Sequence, residues 1–125
     1  MATNLNLKRR GAPGSGCQAS TFGKEMNEIQ LLWKAHEYAP FPPGISGLEI
    51  EGEDLVSLDT YTSGCISSFC GTGGRLDEGR IKTLTECHAS LTKVLPMLTG
   101  YARDYYSRLH QMSQCVLEHL HRRNQ

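Results

Sequence analysis

Between residues 81 and 98 the apolar residues Ile81, Leu84, Cys87, Leu91, Val94, Leu95 and Leu98 recur at helical spacing, with His88 among them. A recurrence at every third or fourth residue gathers side chains on one face of an α-helix, where successive residues turn by about 100°, and scatters them over both faces of a strand. Such a stripe is stable only when covered by another element. Three more segments repeat the spacing: Phe22, Met26, Ile29, Leu32, Trp33 and His36; then Leu55, Leu58, Thr62, Cys65, Ile66 and Phe69; then Tyr101, Tyr105, Leu109, Met112, Val116 and Leu120. Only "GLEIEG" at 47–52 alternates, and it is too short to found a sheet. The expectation is an all-α, four-helix bundle-like single domain.

Punctuation between the stripes agrees with this reading. Pro40 ends the first helix, and "PFPPG" at 40–44 is a stiff connector whose PxxP spacing has no basic residue near enough to orient it in a groove. Gly71, Gly73 and Gly74 offer left-handed geometry at the end of the second helix. Asp77 is a good N-cap for the third, with Leu76 and Ile81 placed as a hydrophobic staple. Pro96 should loosen the last turn of that helix, and Gly100 should close it. Arg122 and Arg123 complement the C-terminus of the fourth. Residues 1–19 are rich in Gly, Ser and Pro and carry Lys8, Arg9 and Arg10, so they read as a disordered basic arm before a helical domain at 20–125.

A hydrophobic content of 38% and a charged content of 21% describe an ordinary globule. No apolar run approaches the roughly 20 residues of a membrane span, so no membrane partner is expected. The first 24 residues hold no apolar core segment of the secretory kind. Five cysteines, an odd number without a CxxC, point to reduced thiols and a cytoplasmic setting. The run "DLVSLDTYTSGCISSFCGTGGRLDEGRIKTLTECHASLTKVLP" resembles small bacterial cytosolic helical proteins, a likeness that carries over no residue role.

Net charge is zero, but between residues 11 and 121 there are 8 Lys or Arg against 13 Asp or Glu, a balance of −5. An acidic body with basic ends does not favour gripping nucleic acid through the body. A regulator touching nucleic acid through the arm at Lys8, Arg9 and Arg10 is one alternative.

No phosphate-binding, dinucleotide, zinc-protease or nucleophile-elbow motif occurs. "GTGGRLDEG" at 71–79 leads into a helix, yet Asp77 and Glu78 stand where a phosphate would sit. A thiol- or metal-dependent activity is the other alternative. Cys115 and His119, four residues apart on one helix, could share an ion, although a structural zinc needs four ligands and no second pair is evident. Cys65 and His36 both face inward and could approach across the bundle, but a cysteine in apolar surroundings is inert. Packing accounts for all four residues, so the expectation is no metal, no cofactor and no catalysis.

The remaining feature is "LEIEGEDLVSLD" at 48–59, in which Glu49, Glu51, Glu53, Asp54 and Asp59 have no basic neighbour in sequence. Acids at a helix start favour its dipole. The same concentration suits an inhibitor or adaptor facing a basic partner, because complementary charge speeds association. Tyr106, about 140° from Tyr101, is expected at the surface, and Trp33 and Tyr106 are expected to add apolar anchors. The reading is a small non-enzymatic protein that binds another protein through an acidic helical surface, in the manner of an immunity or antitoxin-like inhibitor. Four short helices suit pairing with a second copy, a homodimer, as well as a monomer.

Overall fold

Two aspartates start two of the helices. The Asp54 carboxylate accepts hydrogen bonds from the backbone N–H of Val56 at 3.0 Å and of Ser57 at 3.3 Å, satisfying donors that a helix start leaves unpaired. Asp77 accepts from Arg80 N–H at 2.8 Å in the same way. In the computed structural model, which describes residues 17–123 and the side chains of 25–123, these caps open α2 (Leu55–Gly71) and α3 (Glu78–Val94). They are flanked by α1 (Cys17–Glu37) and α4 (Gly100–Arg123).

Among the described residues these four helices and one small hairpin make an all-α, bundle-like fold. The hairpin pairs β1 (Glu49–Ile50) with β2 (Glu53–Asp54) antiparallel, Glu49 opposite Asp54. Its two-residue turn is Glu51-Gly52, with positive φ at both positions (54° and 80°), the geometry that matches strand twist. Glutamate is an uncommon choice there.

α4 packs against each of the other three helices, and α2 lies against α3. Ile29 of α1, Ile66 and Phe69 of α2, Leu84 and Leu91 of α3, and Leu109 and Met112 of α4 are fully buried where these helices meet. At one end Glu25 of α1 accepts hydrogen bonds from His119 Nδ1 at 3.2 Å and from the Arg122 guanidinium. Beside it Arg123 donates to the Gly74 carbonyl at 2.8 Å. Gly74 has φ +105°, a backbone conformation that favours glycine, and a Cβ there would stand 3.2 Å from Met26 Sδ, so that side chain would have to give way.

Three sequence boundaries move. The helix begins at Cys17, so residues 17–19 belong to α1 and not to the arm, because the run of Gly and Pro ends at Gly16. Residues 1–16, with Lys8, Arg9 and Arg10, and the side chain of Phe22 lie outside the described residues. Pro96 does not merely loosen α3: the helix stops at Val94 and Leu95–Met97 form a 3-10 turn. Gly100, with φ +62°, opens α4 and does not close α3.

Mid-helix in α2, Gly64 is exposed and nothing stands within 4 Å of where its Cβ would be. Gly64→Ala is therefore expected to raise stability by about 0.5–1 kcal/mol through the entropy glycine loses on folding. An unchanged urea midpoint would show that α2 is not a continuous helix at this position.

Candidate functional site

The five acids of 49–59 divide once placed. Glu49 and Glu51 are exposed on the hairpin. Glu53 is answered by a base after all: Lys93 Nζ lies 2.9 Å from its carboxylate. The hydrogen bond from Lys93, with a further one from Ser90, holds the Glu53 carboxyl below its ordinary pKa despite some burial. Sequence separation hid this pairing, since Lys93 lies on α3. Asp54 is committed to the α2 cap but remains exposed.

Asp59 leaves the cluster. Five residues beyond Asp54, it is turned about 140° round the helix, and it accepts hydrogen bonds from Tyr105 Oη at 3.2 Å and Ser63 Oγ at 3.1 Å. His36 Nε2 lies 3.9 Å from it, too far for a hydrogen bond. Arg108 Nε donates to His36 Nδ1 at 3.0 Å, which makes Nδ1 an acceptor and places the proton of the neutral ring on Nε2. His36 is only 3% exposed, and its Nε2 makes no hydrogen bond. Burial first, then the Asp59 charge, pushes the Tyr105 hydroxyl far above its ordinary pKa.

Tyr106 is not a surface residue. It is fully buried and donates to the Leu55 carbonyl at 2.7 Å, while Tyr101 is the exposed member, its hydroxyl on the Pro40 carbonyl. The α4 stripe includes Tyr105, Tyr106, Leu109, Met112, Ser113 and Val116, so its centre is shifted from the one the spacing predicts. Trp33 is half-buried on α1 beside His36, with ring centroids 6.2 Å apart. Tyr106, being buried, contributes no surface anchor.

Cys65, His36 and His119 each contact other groups. Cys65 Sγ donates to the Arg80 carbonyl at 3.6 Å, whereas His36 faces Asp59, Tyr105 and Arg108. Burial pushes the Cys65, Cys87 and Cys115 thiols up in pKa, which suppresses the thiolate needed for nucleophilic chemistry. His119 is turned onto Glu25. Among the described residues no group of three or more His, Cys, Asp or Glu is placed to hold a metal ion, and no helix is long and apolar enough to cross a membrane.

What the structure adds is a groove between the start of α2 and the middle of α3, of about 430 Å³. Glu53, Asp54 and Glu86 supply three carboxylates, and Ser57, Thr83 and Ser90 supply hydroxyls. Leu58 and Cys87, both buried, form its floor, and Tyr61, 60% exposed, stands at its edge. None of the lining residues is basic. Glu86 and Tyr61 escaped the sequence reading because each looks like plain helix surface by itself; only the packing of α3 on α2 aligns them with Glu53 and Asp54.

A separate pair of histidines bridges α3 and α4. The His88 and His110 rings stack with centroids 4.3 Å apart. The Thr92 hydroxyl lies within hydrogen-bond distance of both the His88 carbonyl, at 3.0 Å, and His110 Nε2, at 2.9 Å. Burial, then repulsion from His88, lowers the His110 pKa. Below the unfolded-state value of about 6.5 the unfolded chain takes up this proton while the folded chain resists, so stability falls with falling pH until the folded value is reached. Urea titrations between pH 7 and pH 5 should show this decline, and His110→Asn should flatten it. A decline of equal slope in the variant would assign it to other groups.

No protein-family model, curated protein or solved structure matches the chain.

Proposed function

We propose that this is a small non-enzymatic protein that binds a cationic segment of another protein at the acidic end of the α2–α3 pair. The observation that carries the reading is the groove itself, where the carboxylates of Glu53, Asp54 and Glu86 converge with the exposed Tyr61; Lys93 and Lys82, which pair with the two glutamates, are not among the lining residues. A lysine or arginine side chain entering there meets carboxylates as acceptors and an aromatic ring as a cation–π surface. Glu49 and Glu51, exposed on the hairpin, extend the negative field beyond the groove and favour encounter with a positive partner. An immunity or antitoxin-like inhibitor covering a basic active site in the cytoplasm is the concrete form of this activity. The buried, high-pKa thiols offer no support for a nucleophilic alternative.

The test uses an oligolysine peptide as probe and the triple variant Glu49→Gln, Glu51→Gln, Glu86→Gln, which spares the Glu53–Lys93 pair and the Asp54 cap. Association should be slower for the variant at low salt, and its dependence on ionic strength shallower, with dissociation less altered. Identical salt slopes for the two proteins would return these acids to ordinary solvated surface.

A further inference from the structure

We infer that the acidic groove is one half of a longer seat along the α2–α3 seam, and that its occupant is an amphipathic α-helix of a partner protein, basic over one half and acidic over the other. The inference rests on the cationic-partner reading above and gives that partner a shape.

A second groove of about 530 Å³ lies between the end of α2 and the start of α3. Along α2 the first is lined by Asp54, Ser57 and Tyr61 and the second by Ser68 and Gly71. Along α3 the order runs the other way, Ser90, Glu86 and Thr83 and then Arg80 and Asp77. The helices are therefore antiparallel, and Ser57, Tyr61 and Ser68, spaced by four and seven residues, share one face of α2. Between them Cys65 Sγ bonds the Arg80 carbonyl, keeping α2 close to α3, and the exposed Gly64 leaves the space above α2 unfilled. From Asp54 to Gly71 the seat runs about 25 Å at the rise of an α-helix.

The charges of the two ends differ. The first groove is lined by three carboxylates, of which Glu53 is paired with Lys93 and Glu86 with Lys82, so one negative charge is left in excess; the second is lined by Arg75 and Arg80 with one acid, Asp77. Arg80 is paired with Asp77 at 2.6 Å, which leaves Arg75 as the guanidinium best placed to receive a partner's carboxylate. A rigid segment with opposite charges at its two ends matches this order in one direction only.

The occupant is a helix because α2 and α3 satisfy their own backbone groups and present only side chains. An extended segment laid on the seam would find no ladder for its N–H and C=O groups, but a helix brings its own. Ser57, Gly64, Ser68 and Gly71 are small, so a third helix can approach to the usual interaxial distance of about 8–10 Å.

The experiment uses the full chain and two fluorescent peptides, each of about 18 residues and stapled into a helix to match the length of the seat. They share one composition, with lysines in one half and glutamates in the other in the first peptide, and the same residues interspersed in the second. By anisotropy at physiological salt, the segregated peptide should bind at least about tenfold more tightly than the interspersed one. Gly64→Trp should weaken it by about tenfold or more while Gly64→Ala leaves it within about twofold. Gly64→Gln repeats the block should the tryptophan disturb folding as judged by circular dichroism. Equal affinity for the two peptides, or indifference to bulk at position 64, overturns the seat. Loss of peptide binding in the Glu49, Glu51, Glu86 triple variant together with indifference to position 64 overturns the seat alone and leaves the cationic-partner reading standing. A dimer in sedimentation that the Gly64 block dissolves overturns the partner helix in favour of a second copy of this chain.

Discussion

Tyr106→Ala is expected to cost about 3–5 kcal/mol, the range for truncating a buried aromatic side chain. The ring is fully buried between α4 and the start of α2, against Tyr105 at a centroid distance of 5.4 Å. Its hydroxyl also donates to the Leu55 carbonyl at 2.7 Å, so the truncation removes a buried hydrogen bond as well as packing. Burial and the nearby Asp59 charge push the Tyr106 hydroxyl far above its ordinary pKa, which favours the protonated, donating form. Tyr106→Phe separates the two contributions: it keeps the ring and should cost about 1–3 kcal/mol, the range for leaving a buried acceptor unmatched. Since a domain of this size is stable by only about 5–15 kcal/mol, the alanine variant should be partly unfolded well below the wild-type melting temperature. Urea titration of the three proteins checks the order. A loss for Tyr106→Ala no larger than that for Tyr101→Ala, at the exposed position, would mean that the α4 stripe faces the other way.

Leu91→Ala carries the second large effect, about 2–5 kcal/mol, because it empties a fully buried site on the face of α3 turned to α4 and α2. The spread depends on how far the surrounding core can collapse into the space. Glu86→Ala, on the outer side of the same helix, should stay within about 0.5 kcal/mol even though Lys82 Nζ lies 3.3 Å from its carboxylate, since an exposed pair of this kind contributes little. The contrast matters for function as well as stability. A residue that lines the groove and can be replaced without loss of folding is one whose effect on binding can be read directly. Equal losses at positions 91 and 86 would show that α3 is not oriented as described.

The caps at Asp54 and Asp77 illustrate what a local pattern carries. Asp77 was legible as a helix start because the capping interaction reaches only three residues along the chain, and it is found there. The apolar stripes of α2 and α3 were legible for a related reason. A residue's direction on a helix follows from its position in sequence, and Leu58, Ile66 and Phe69, like Leu84 and Leu91, are buried where their spacing puts them. Four such stripes can be covered only by one another, which is why the all-α class was open to reading from the sequence alone.

The phase of α4 was decided elsewhere. Its spacing is compatible with Tyr101 or with Tyr106 on the inner side, and the choice falls to Tyr106 because the Leu55 carbonyl lies within reach of its hydroxyl. Asp59 belongs to the acidic run in sequence but not in space, drawn under by Tyr105, and Glu53 acquires Lys93 from a helix forty residues away. The candidate site was hidden for the same reason. A groove is a relation between two helices, and no periodicity along α2 tells which residues of α3 will stand across from it. The sequence by itself determined where α3 starts and which residues α2 and α3 bury, since those are short-range consequences of backbone geometry and apolar spacing. Which acids find a base, which tyrosine is buried and which residues line the seam depended on the antiparallel packing of α2 on α3 and on α4 lying against all three partners, because only tertiary contact brings residues distant in sequence within reach of one another.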